Sequence, residues 1–336
     1  FSLIVYALIS DYKPEENEVI SQPDNPSLLK DSTVYNLLTW NIGYAGLDKD
    51  MDFFKDGGTK VITPEDNFRE NDSAIADFVM ENSTVDFILL QEIDRNSKRS
   101  YHTDQYQELS EKLPGHLPFF AKNYDVFFVP VPPSNPMGKV ESGIATYSRH
   151  TPVSSTRCSL PGDFGFPTRL FYLDRCFMAG RYRIENGKEL VLINTHNEAF
   201  DEGGEIRKAQ MESLKKFVLN EYKSGNYVIV GGDWNQYPPD FKPDFSANKV
   251  FTGKFGNFNL TGIESDYMPG EWNWIYDPTT PTVRTLTAAY DPTTTPTSVC
   301  DIFLISPNLE SVSVKCHHLG FMNSDHNPVI IQIMLE

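Results

Sequence analysis

The stretch at 227–235, YVIVGGDWN, ends in two polar side chains that are suited to metal or phosphate chemistry. Its residues 227–230 are β-branched or aromatic and predict a buried strand, which the two following glycines end. Asp233 and Asn235 are two residues apart, so in an extended chain their side chains leave on the same side. Such strand ends are where α/β proteins bind ligands. Because Gly-Gly-Asp is also common in turns, this stretch alone leaves a turn and a site equally open.

Polar residues of a similar kind accompany several other predicted strands, and these are Asn41, Glu92, His196, Asp301, and Asp325 with His326. Taken singly, each has a plain structural interpretation: Asn41 caps a turn and Asp301 begins a strand. Together, hard oxygen ligands and two imidazoles are what a magnesium-dependent phosphoryl site requires. The set therefore predicts a metal-assisted site for phosphoester chemistry.

Periodicity and turn signals predict the elements that must position these residues. Predicted strands cover 35–41, 86–92, 125–131, 142–148, 171–184, 190–196, 227–230, 299–306, 312–317 and 328–334, with a hairpin turn at Asn186-Gly187. Predicted helices run from Thr63, the expected N-cap before Pro64, to about 81, and over 105–113 and 205–220. About ten strands against three helices are too many for a simple doubly wound sheet. We therefore expect two mixed sheets packed face to face, with helices outside.

The helix predicted at 205–220 has an apolar face formed by Ile206, Ala209, Leu214, Phe217 and Val218. Arg207 and Gln210 open this helix next to the loop that follows His196. A contact with substrate is one interpretation of these two residues, and a solvent-exposed helix face is the favoured one.

Composition indicates a folded, acidic protein. The chain has 336 residues, of which 40% are hydrophobic, and a net charge of −17. This charge disfavours nucleic acid as a partner held by clustered Lys and Arg, but it allows an enzyme that meets phosphate through a bound cation. The four cysteines show no CxxC or zinc spacing. One or two disulfides in an exported protein and four buried thiols both stay open.

Residues 1–32 are predicted to be an N-terminal segment, with a linker at 21–32, ahead of one domain at 33–336. The apolar start, FSLIVYALI, is too short to span a bilayer and is interpreted as the remnant of a signal or anchor helix. This interpretation predicts an extracytoplasmic domain. The alternative is an N-terminal helix or strand that packs on the domain, which leaves a cytoplasmic location open.

An irregular insertion is predicted at about 245–297. Its stretch at 267–276 carries Tyr267, Met268, Trp272, Trp274, Ile275 and Tyr276. We expect this aromatic loop either to contact a lipid surface or the non-phosphate part of a substrate, or to pack on the domain. Arg284 in the same insertion is a candidate phosphate contact.

The segments LLTWNIG, ILLQEID, SGIATYSR, LINTHN, GGDWNQ, CDIFLIS and SDHNPV resemble, in this order, the motifs of the endonuclease/exonuclease/phosphatase superfamily. They span nearly the whole chain after residue 35. The resemblance implies a deoxyribonuclease I-like fold, which is a four-layer α/β sandwich of two packed mixed β-sheets flanked by helices. It also implies hydrolysis of a phosphoester that depends on a divalent metal: Mg²⁺, or alternatively Mn²⁺ or Ca²⁺.

The same resemblance assigns a role to each motif residue. Glu92 matches the principal magnesium ligand, with Asn41 and Asp325 beside the metal. Asp233 and Asn235 match the pair that positions or deprotonates the attacking water and holds the phosphate. His326 matches the essential histidine, oriented by Asp301, and His196 matches a second histidine that contacts phosphate or donates a proton. Asn194 of LINTHN is a predicted substrate contact. The resemblance leaves open whether Asp233 or His326 is the general base.

The predicted activity is that of a phosphodiesterase acting as a monomer, and the substrate class stays open. Nucleic acid, a phospholipid such as sphingomyelin, a phosphoinositide and a small phosphate ester are the alternatives. A catalytically silent binding protein with the same fold is a different class, but no motif residue is missing to support it. A zinc hydrolase that uses His196 and His326 lacks HExxH or another close ligand pair.

Overall fold

The computed structural model describes residues 2–201, 203–244, 250–255 and 258–335. Of the insertion predicted at about 245–297, residues 245–249 and 256–257 lie outside the described residues. The helices are α1 (Ser2–Ser10), α2 (Glu65–Glu81), α3 (Gln105–Lys112) and α4 (Glu205–Lys223). Short 3₁₀ helices lie at Gly43–Ala45, Phe54–Asp56, Lys98–Ser100 and Thr168–Phe171.

The strands are numbered in chain order. They are β1 (Asn17–Ser21), β2 (Leu28–Leu29), β3 (Val34–Asn41), β4 (Phe87–Asp94), β5 (Leu117–Val129), β6 (Gly138–Ser148), β7 (Ser154–Ser159), β8 (Cys176–Ile184), β9 (Glu189–His196), β10 (Tyr227–Asp233), β11 (Gln236–Tyr237), β12 (Gly253–Phe255), β13 (Phe258–Gly262), β14 (Asn273–Ile275), β15 (Val283–Arg284), β16 (Thr297–Ser298), β17 (Asp301–Ile305), β18 (Leu309–Cys316) and β19 (Val329–Leu335). The predicted hairpin turn at Asn186-Gly187 joins β8 to β9, which pair antiparallel.

Most of these strands belong to two mixed sheets. The first has the order β1-β7-β8-β9-β10-β17-β14, with β2 beside β8. The second has the order β18-β19-β3-β4-β6-β5. β9 and β10 are parallel neighbours in the first sheet, and β3 and β4 are parallel neighbours in the second. Because parallel strands run in the same direction, the C-terminal ends of β3 and β4 lie at one edge of the second sheet. The C-terminal ends of β9 and β10 likewise lie at one edge of the first.

The two sheets pack face to face, and their inner faces share one apolar core. Leu37 and Leu89 come from the second sheet, and Leu192, Ile229 and Phe303 come from the first. Helices α2 and α3 cover the outer face of the second sheet, and α4 covers the outer face of the first. The predicted four-layer α/β sandwich is confirmed.

Several predicted element bounds are wrong for local reasons. Pro64, not Thr63, is the N-cap of α2, because Thr63 Oγ1 instead donates to Asp48 Oδ2 at 2.9 Å. The strand predicted at 125–131 is only the end of β5, whose earlier residues do not alternate cleanly between apolar and polar. The strand predicted at 171–184 begins only at residue 176, after a 3₁₀ helix. Strands of two to five residues in the insertion carry too little pattern to be predicted.

The N-terminal segment belongs to the domain. The rings of Tyr6 in α1 and Phe127 in β5 lie 4.2 Å apart, β1 pairs with β7, and β2 pairs with β8. The linker predicted at 21–32 is therefore wrong where it includes β2. Among the described residues, no helix has both the length and the apolar character needed to cross a membrane. All four cysteines are buried and unbridged, as the thiol alternative predicts.

The aromatic stretch of the insertion packs inward. Tyr267, Met268 and Trp272 are buried in the cluster beneath α4 that also holds Trp234. Trp274 packs against the same cluster, with its ring centroid 5.0 Å from that of Trp234. The prediction that this loop contacts a lipid surface is therefore wrong for these side chains, and the alternative of a packed insertion holds.

Candidate active site

The motif residues converge at one end of the two sheets. Asn41 ends β3, His196 ends β9, Asp233 ends β10 and Asp301 begins β17. Strand register places His196 directly beside Asp233 on one side and Asp301 directly beside it on the other. Residues that lie far apart in the sequence are thus fixed next to one another by backbone pairing.

An irregularity in β4 brings Glu92 to the same end. The pairing of β4 with β6 shifts register between Leu90 and Ile93, and Glu92 has a φ of 53°. A left-handed φ in a residue other than glycine is strained and is typical of functional sites. Here it accompanies a side chain whose Oε1 lies 3.3 Å from Asn41 Nδ2.

The GGDWN motif requires a glycine at position 232 for a steric reason. Its φ is 145°, and a Cβ at this position would lie 2.0 Å from the carbonyl oxygen of Thr195. Only glycine allows β10 to lie this close to β9. The motif glycine therefore holds the strand contact that sets Asp233 beside His196.

Asp233 is the centre of the cluster. Its Oδ2 accepts a hydrogen bond from Asn41 Nδ2 at 3.0 Å and lies 3.5 Å from His196 Nε2 and 3.8 Å from His326 Nε2. Its Oδ1 accepts from the backbone N–H of Asn235 at 2.9 Å. Burial acts to raise the pKa of Asp233, but the two histidines and the hydrogen bonds outweigh it and lower the pKa.

His326 and Asp301 form a buried pair. Nδ1 of His326 lies 2.7 Å from Asp301 Oδ2, which fixes the ring and leaves Nε2 facing Asp233 and Asp325. Burial acts to lower the pKa of His326, but the surrounding carboxylates, Asp301 first, outweigh it and raise the pKa well above its ordinary value. This imidazole is therefore suited to donate a proton or a hydrogen bond.

His196 has the opposite character. Burial, and then the positive charge of Arg175, lower the pKa of His196 to about 3, so its imidazole is neutral. Its Nδ1 has no hydrogen-bond partner among the described residues. Two histidines on either side of one carboxylate thus differ in protonation.

The family model described as Endonuclease/Exonuclease/phosphatase family matches residues 38–326 of this chain. The match includes every residue of the cluster. This chain belongs to the endonuclease/exonuclease/phosphatase family. Proteins of this family are generally phosphoesterases that hydrolyse their substrates, and they usually depend on a divalent metal. A search among curated proteins finds no significant sequence match.

Solved structures share the fold at low sequence identity. An endonuclease/exonuclease/phosphatase from Beutenbergia cavernae is 17% identical with a TM-score of 0.55, over 90% of this chain and 72% of that chain. The human Nocturnin catalytic domain with bound sulfate anion is 16% identical with a TM-score of 0.55, over 91% and 95%. D. rerio TDP2 complexed with single strand DNA product is 13% identical with a TM-score of 0.53, over 90% and 99%. These likenesses establish the family's deoxyribonuclease I-like fold.

The oxygen donors of the family site fit a hard divalent cation. Burial, together with repulsion from Glu92, raises the pKa of Asp325 to about 6 against the opposing effect of His326. A cation shared by Glu92 and Asp325 would relieve this repulsion. Asn41 lies beside them, but its Nδ2 faces Glu92 and Asp233, and its Oδ1 accepts from Gly43 N at 3.0 Å. In this geometry Asn41 orients the carboxylates.

A second group of ligand atoms, from Asp233, Cys300 and His326, lies within 4.8 Å of one another. Burial raises the pKa of the Cys300 thiol well above its ordinary value, so the thiol stays protonated. A protonated thiol is a poor ligand, and sulfur suits softer metals than Mg²⁺. The Glu92 and Asp325 oxygens are the better match to the metals on which this family usually depends.

Asn194 does not lie at the site. It is fully buried between the sheets, where Oδ1 accepts from Gln91 Nε2 at 2.7 Å and Nδ2 donates to the carbonyls of Leu90 at 3.2 Å and Ala145 at 2.9 Å. The prediction that Asn194 contacts substrate is wrong, because all of its polar atoms bridge the two sheets.

Arg284 lines the cavity next to the cluster, but its guanidinium is bound to backbone carbonyls. It donates to Thr285 O at 3.0 Å, to Met51 O at 3.3 Å, and to Asp48 O. These bonds make Arg284 a clamp between two loops, while its buried Nε has no hydrogen-bond partner among the described residues, so its predicted role as a phosphate contact stays a prediction.

The sequence prediction also missed supporting residues. Arg207 and Gln210 are buried, not exposed, and hold the loop after β9: Arg207 Nε donates to Glu198 O at 2.9 Å, and Gln210 Oε1 accepts from Glu198 N at 2.9 Å. Arg207 and Gln210 are three residues apart and share a face of α4 with Leu214. This spacing could have predicted that they are buried. Arg175, which binds Glu198 at 3.3 Å, carries no such signal.

Proposed function

We propose that this chain is a divalent-metal-dependent hydrolase of phosphoester bonds, a phosphodiesterase in which water attacks phosphorus. Family membership supports this reaction class. The observation that carries the proposal is the position of one buried carboxylate, Asp233, between the imidazoles of His196 and His326 and close to Glu92. A phosphate anion repels an attacking nucleophile, so such a site must supply both charge neutralisation and proton transfer.

Glu92 and Asp325 would hold the cation, with Mg²⁺ favoured by their oxygen donors and Mn²⁺ or Ca²⁺ as alternatives. When bound, the cation would neutralise the charge of the phosphoryl group. Asn41 keeps the Glu92 carboxylate in place through the bond from its Nδ2.

In this proposal Asp233 accepts the proton of the attacking water. Asn41 Nδ2 and the Asn235 N–H fix the orientation of its carboxylate, so no reorganisation is needed when water binds. Asn235 itself has a φ of 51°, and its Nδ2 donates to Asn197 O at 2.9 Å, which ties the end of β10 to the loop after β9.

In this proposal His326 donates to a phosphoryl or leaving-group oxygen. With Nδ1 bonded to Asp301, the ring presents its Nε2 to the cluster. His196, neutral and on the other side of Asp233, adds a hydrogen-bond donor without adding charge. His326 would thereby donate the proton, and His196 would position the bound group.

A metal-dependence panel tests this proposal. We expect the purified chain to hydrolyse bis-p-nitrophenyl phosphate with added Mg²⁺, and to lose this activity in EDTA. Plasmid DNA, RNA, sphingomyelin and phosphoinositides, assayed in parallel, then identify the substrate class. Glu92→Gln should remove the activity, whereas Glu310→Gln, on the exposed face of β18, should retain it. Hydrolysis that is unaffected by EDTA would contradict the metal-dependent mechanism, and a folded chain inactive on every substrate would indicate a silent binding protein.

A further inference from the structure

The active site opens into a cavity that a second set of residues covers. The cavity has a volume of about 100 Å³, and Glu92, Asp233 and His326 line its catalytic end. Two segments, residues 43–61 and 283–290, line part of the rest, and we call them the roof. Other parts of the chain line the remainder, among them Arg99, Tyr124, Ser142, Arg175 and Phe200. Pockets for drug-sized ligands are roughly 300–1,000 Å³. This cavity therefore has room for only a small chemical group.

The two segments of the roof are bound to each other. Phe53 N donates to Leu286 O at 2.7 Å, and Tyr290 N donates to Lys49 O at 2.6 Å. The guanidinium of Arg284 joins the same segments through its bonds to carbonyls of residues 48 and 51. These bonds make the roof a fixed boundary of the cavity.

Tyr44, in the roof, lines the same cavity as Glu92 and Asp325. A Cβ on the neighbouring Gly43 would lie 3.1 Å from Asp325 Oδ1, so this part of the chain touches the carboxylate cluster. The Tyr44 side chain is 1% exposed, and its hydroxyl has no hydrogen-bond partner among the described residues. The Arg99 guanidinium stacks 3.6 Å from its ring centroid.

The backbone is strained in order to place this ring. Tyr44 and Ala45 both have left-handed φ values, 43° and 58°. Gly46 is required as well, since a Cβ there would lie 2.4 Å from Tyr44 Cε2. Strained residues persist where the surrounding structure or a ligand compensates, and a buried hydroxyl without a partner is costly unless something binds it.

We propose that the roofed cavity selects compact, non-polymeric phosphoesters, and that the Tyr44 hydroxyl donates a hydrogen bond to an oxygen of the bound ester. A cavity of this volume accommodates a compact ester, and the roof would limit the size of the groups attached to its phosphorus. This inference rests on the proposed hydrolytic function and specifies its substrate class.

A size series with one leaving group tests the selectivity. Methyl, phenyl and thymidine-5′ diesters of p-nitrophenyl phosphate share p-nitrophenolate, so their leaving-group chemistry is the same. We expect kcat/KM with Mg²⁺ to be at least about tenfold higher for the methyl than for the thymidine ester. Equal values for the two esters would overturn the size selection while leaving hydrolysis established. No metal-dependent hydrolysis of any ester would instead overturn the proposed function.

Leu286→Ala tests the roof itself. This substitution removes a buried side chain that lines the cavity and should reduce the methyl-to-thymidine preference at least about threefold. Leu309→Ala removes an equally buried leucine from the core between the sheets and should leave the preference unchanged. A preference unchanged by Leu286→Ala would contradict a roof that sets substrate size.

Tyr44→Phe keeps the ring and its stack on Arg99 but removes the hydroxyl. We expect KM for the methyl ester to rise about tenfold, the effect of one hydrogen bond to a charged oxygen, with a smaller change in kcat. The matched control is Tyr267→Phe, whose hydroxyl donates to Met211 O at 2.7 Å far from the cavity. It should lower thermal stability without changing KM, whereas Tyr44→Phe should not lower stability. An unchanged KM for Tyr44→Phe would overturn the proposed contact.

Discussion

The catalytic end of the cavity and its roof are built by different means. At the catalytic end, Asn41, His196 and Asp233 leave the ends of paired strands, and register fixes their spacing. The roof lies outside the two large sheets, and a few hydrogen bonds, among them those of Arg284 to carbonyls of residues 48 and 51, hold its two segments together. Single substitutions at the catalytic end should therefore remove a group that takes part in the reaction. Those in the roof should change the shape of the cavity.

The largest expected effect comes from breaking the catalytic end. Asp233→Asn keeps the size of the side chain but removes the negative charge between the two histidines, which we propose accepts a proton. We expect kcat for bis-p-nitrophenyl phosphate to fall by about 10³-fold, within the range for loss of a general base. Steady-state kinetics with saturating Mg²⁺ measures this loss.

The matched control is Asp277→Asn, a buried aspartate outside the cavity that accepts from Thr279 and from Cys316 N. It should leave kcat within about twofold, since it touches no reacting group. An Asp233→Asn variant that remains as active as this control would show that the motif carboxylate is not catalytic.

A smaller effect is expected from loosening the roof. Arg284→Lys keeps the charge but cannot bridge the carbonyls of both roof segments, because an ammonium lacks the planar fork of donors. We expect KM to rise about fivefold with kcat nearly unchanged, and the free energy of unfolding to fall by about 2 kcal/mol. Arg183→Lys, on an exposed position of β8, should change neither quantity. A fall in kcat as large as that of Asp233→Asn would place Arg284 in the chemistry instead of in the roof.

The smallest effect on catalysis is expected for Asn194→Ala. This residue bridges the sheets behind the catalytic end, so its loss removes the hydrogen bonds to the carbonyls of Leu90 and Ala145 and leaves a buried gap. We expect the free energy of unfolding to fall by about 3 kcal/mol, and KM to stay unchanged. Chemical denaturation and kinetics on the same preparation separate the two quantities. A rise in KM without loss of stability would restore Asn194 as a substrate contact.

The catalytic end and the roof also differ in how well the sequence predicts them. Strand-end residues such as Glu92 and Asp233 follow apolar runs with a clear period, so both the sandwich and the placement of the cluster were predictable. The roof was not, because Arg284 and Tyr44 act through irregular backbone and bonds to distant carbonyls. Asn194 failed for a different reason: it lies two residues before His196, on the same face of β9, but at a depth where that face packs against the second sheet instead of reaching the site.

Binding of Mn²⁺ to the substrate-free chain, measured by electron paramagnetic resonance, tests whether the strand-end carboxylates form a metal centre. We expect the wild-type chain to bind Mn²⁺ in competition with Mg²⁺, and Glu92→Gln and Asp325→Asn each to weaken binding at least about tenfold. Glu310→Gln should bind as the wild type does. Mn²⁺ affinity that is the same in all four proteins would contradict a metal centre formed by these strand-end carboxylates.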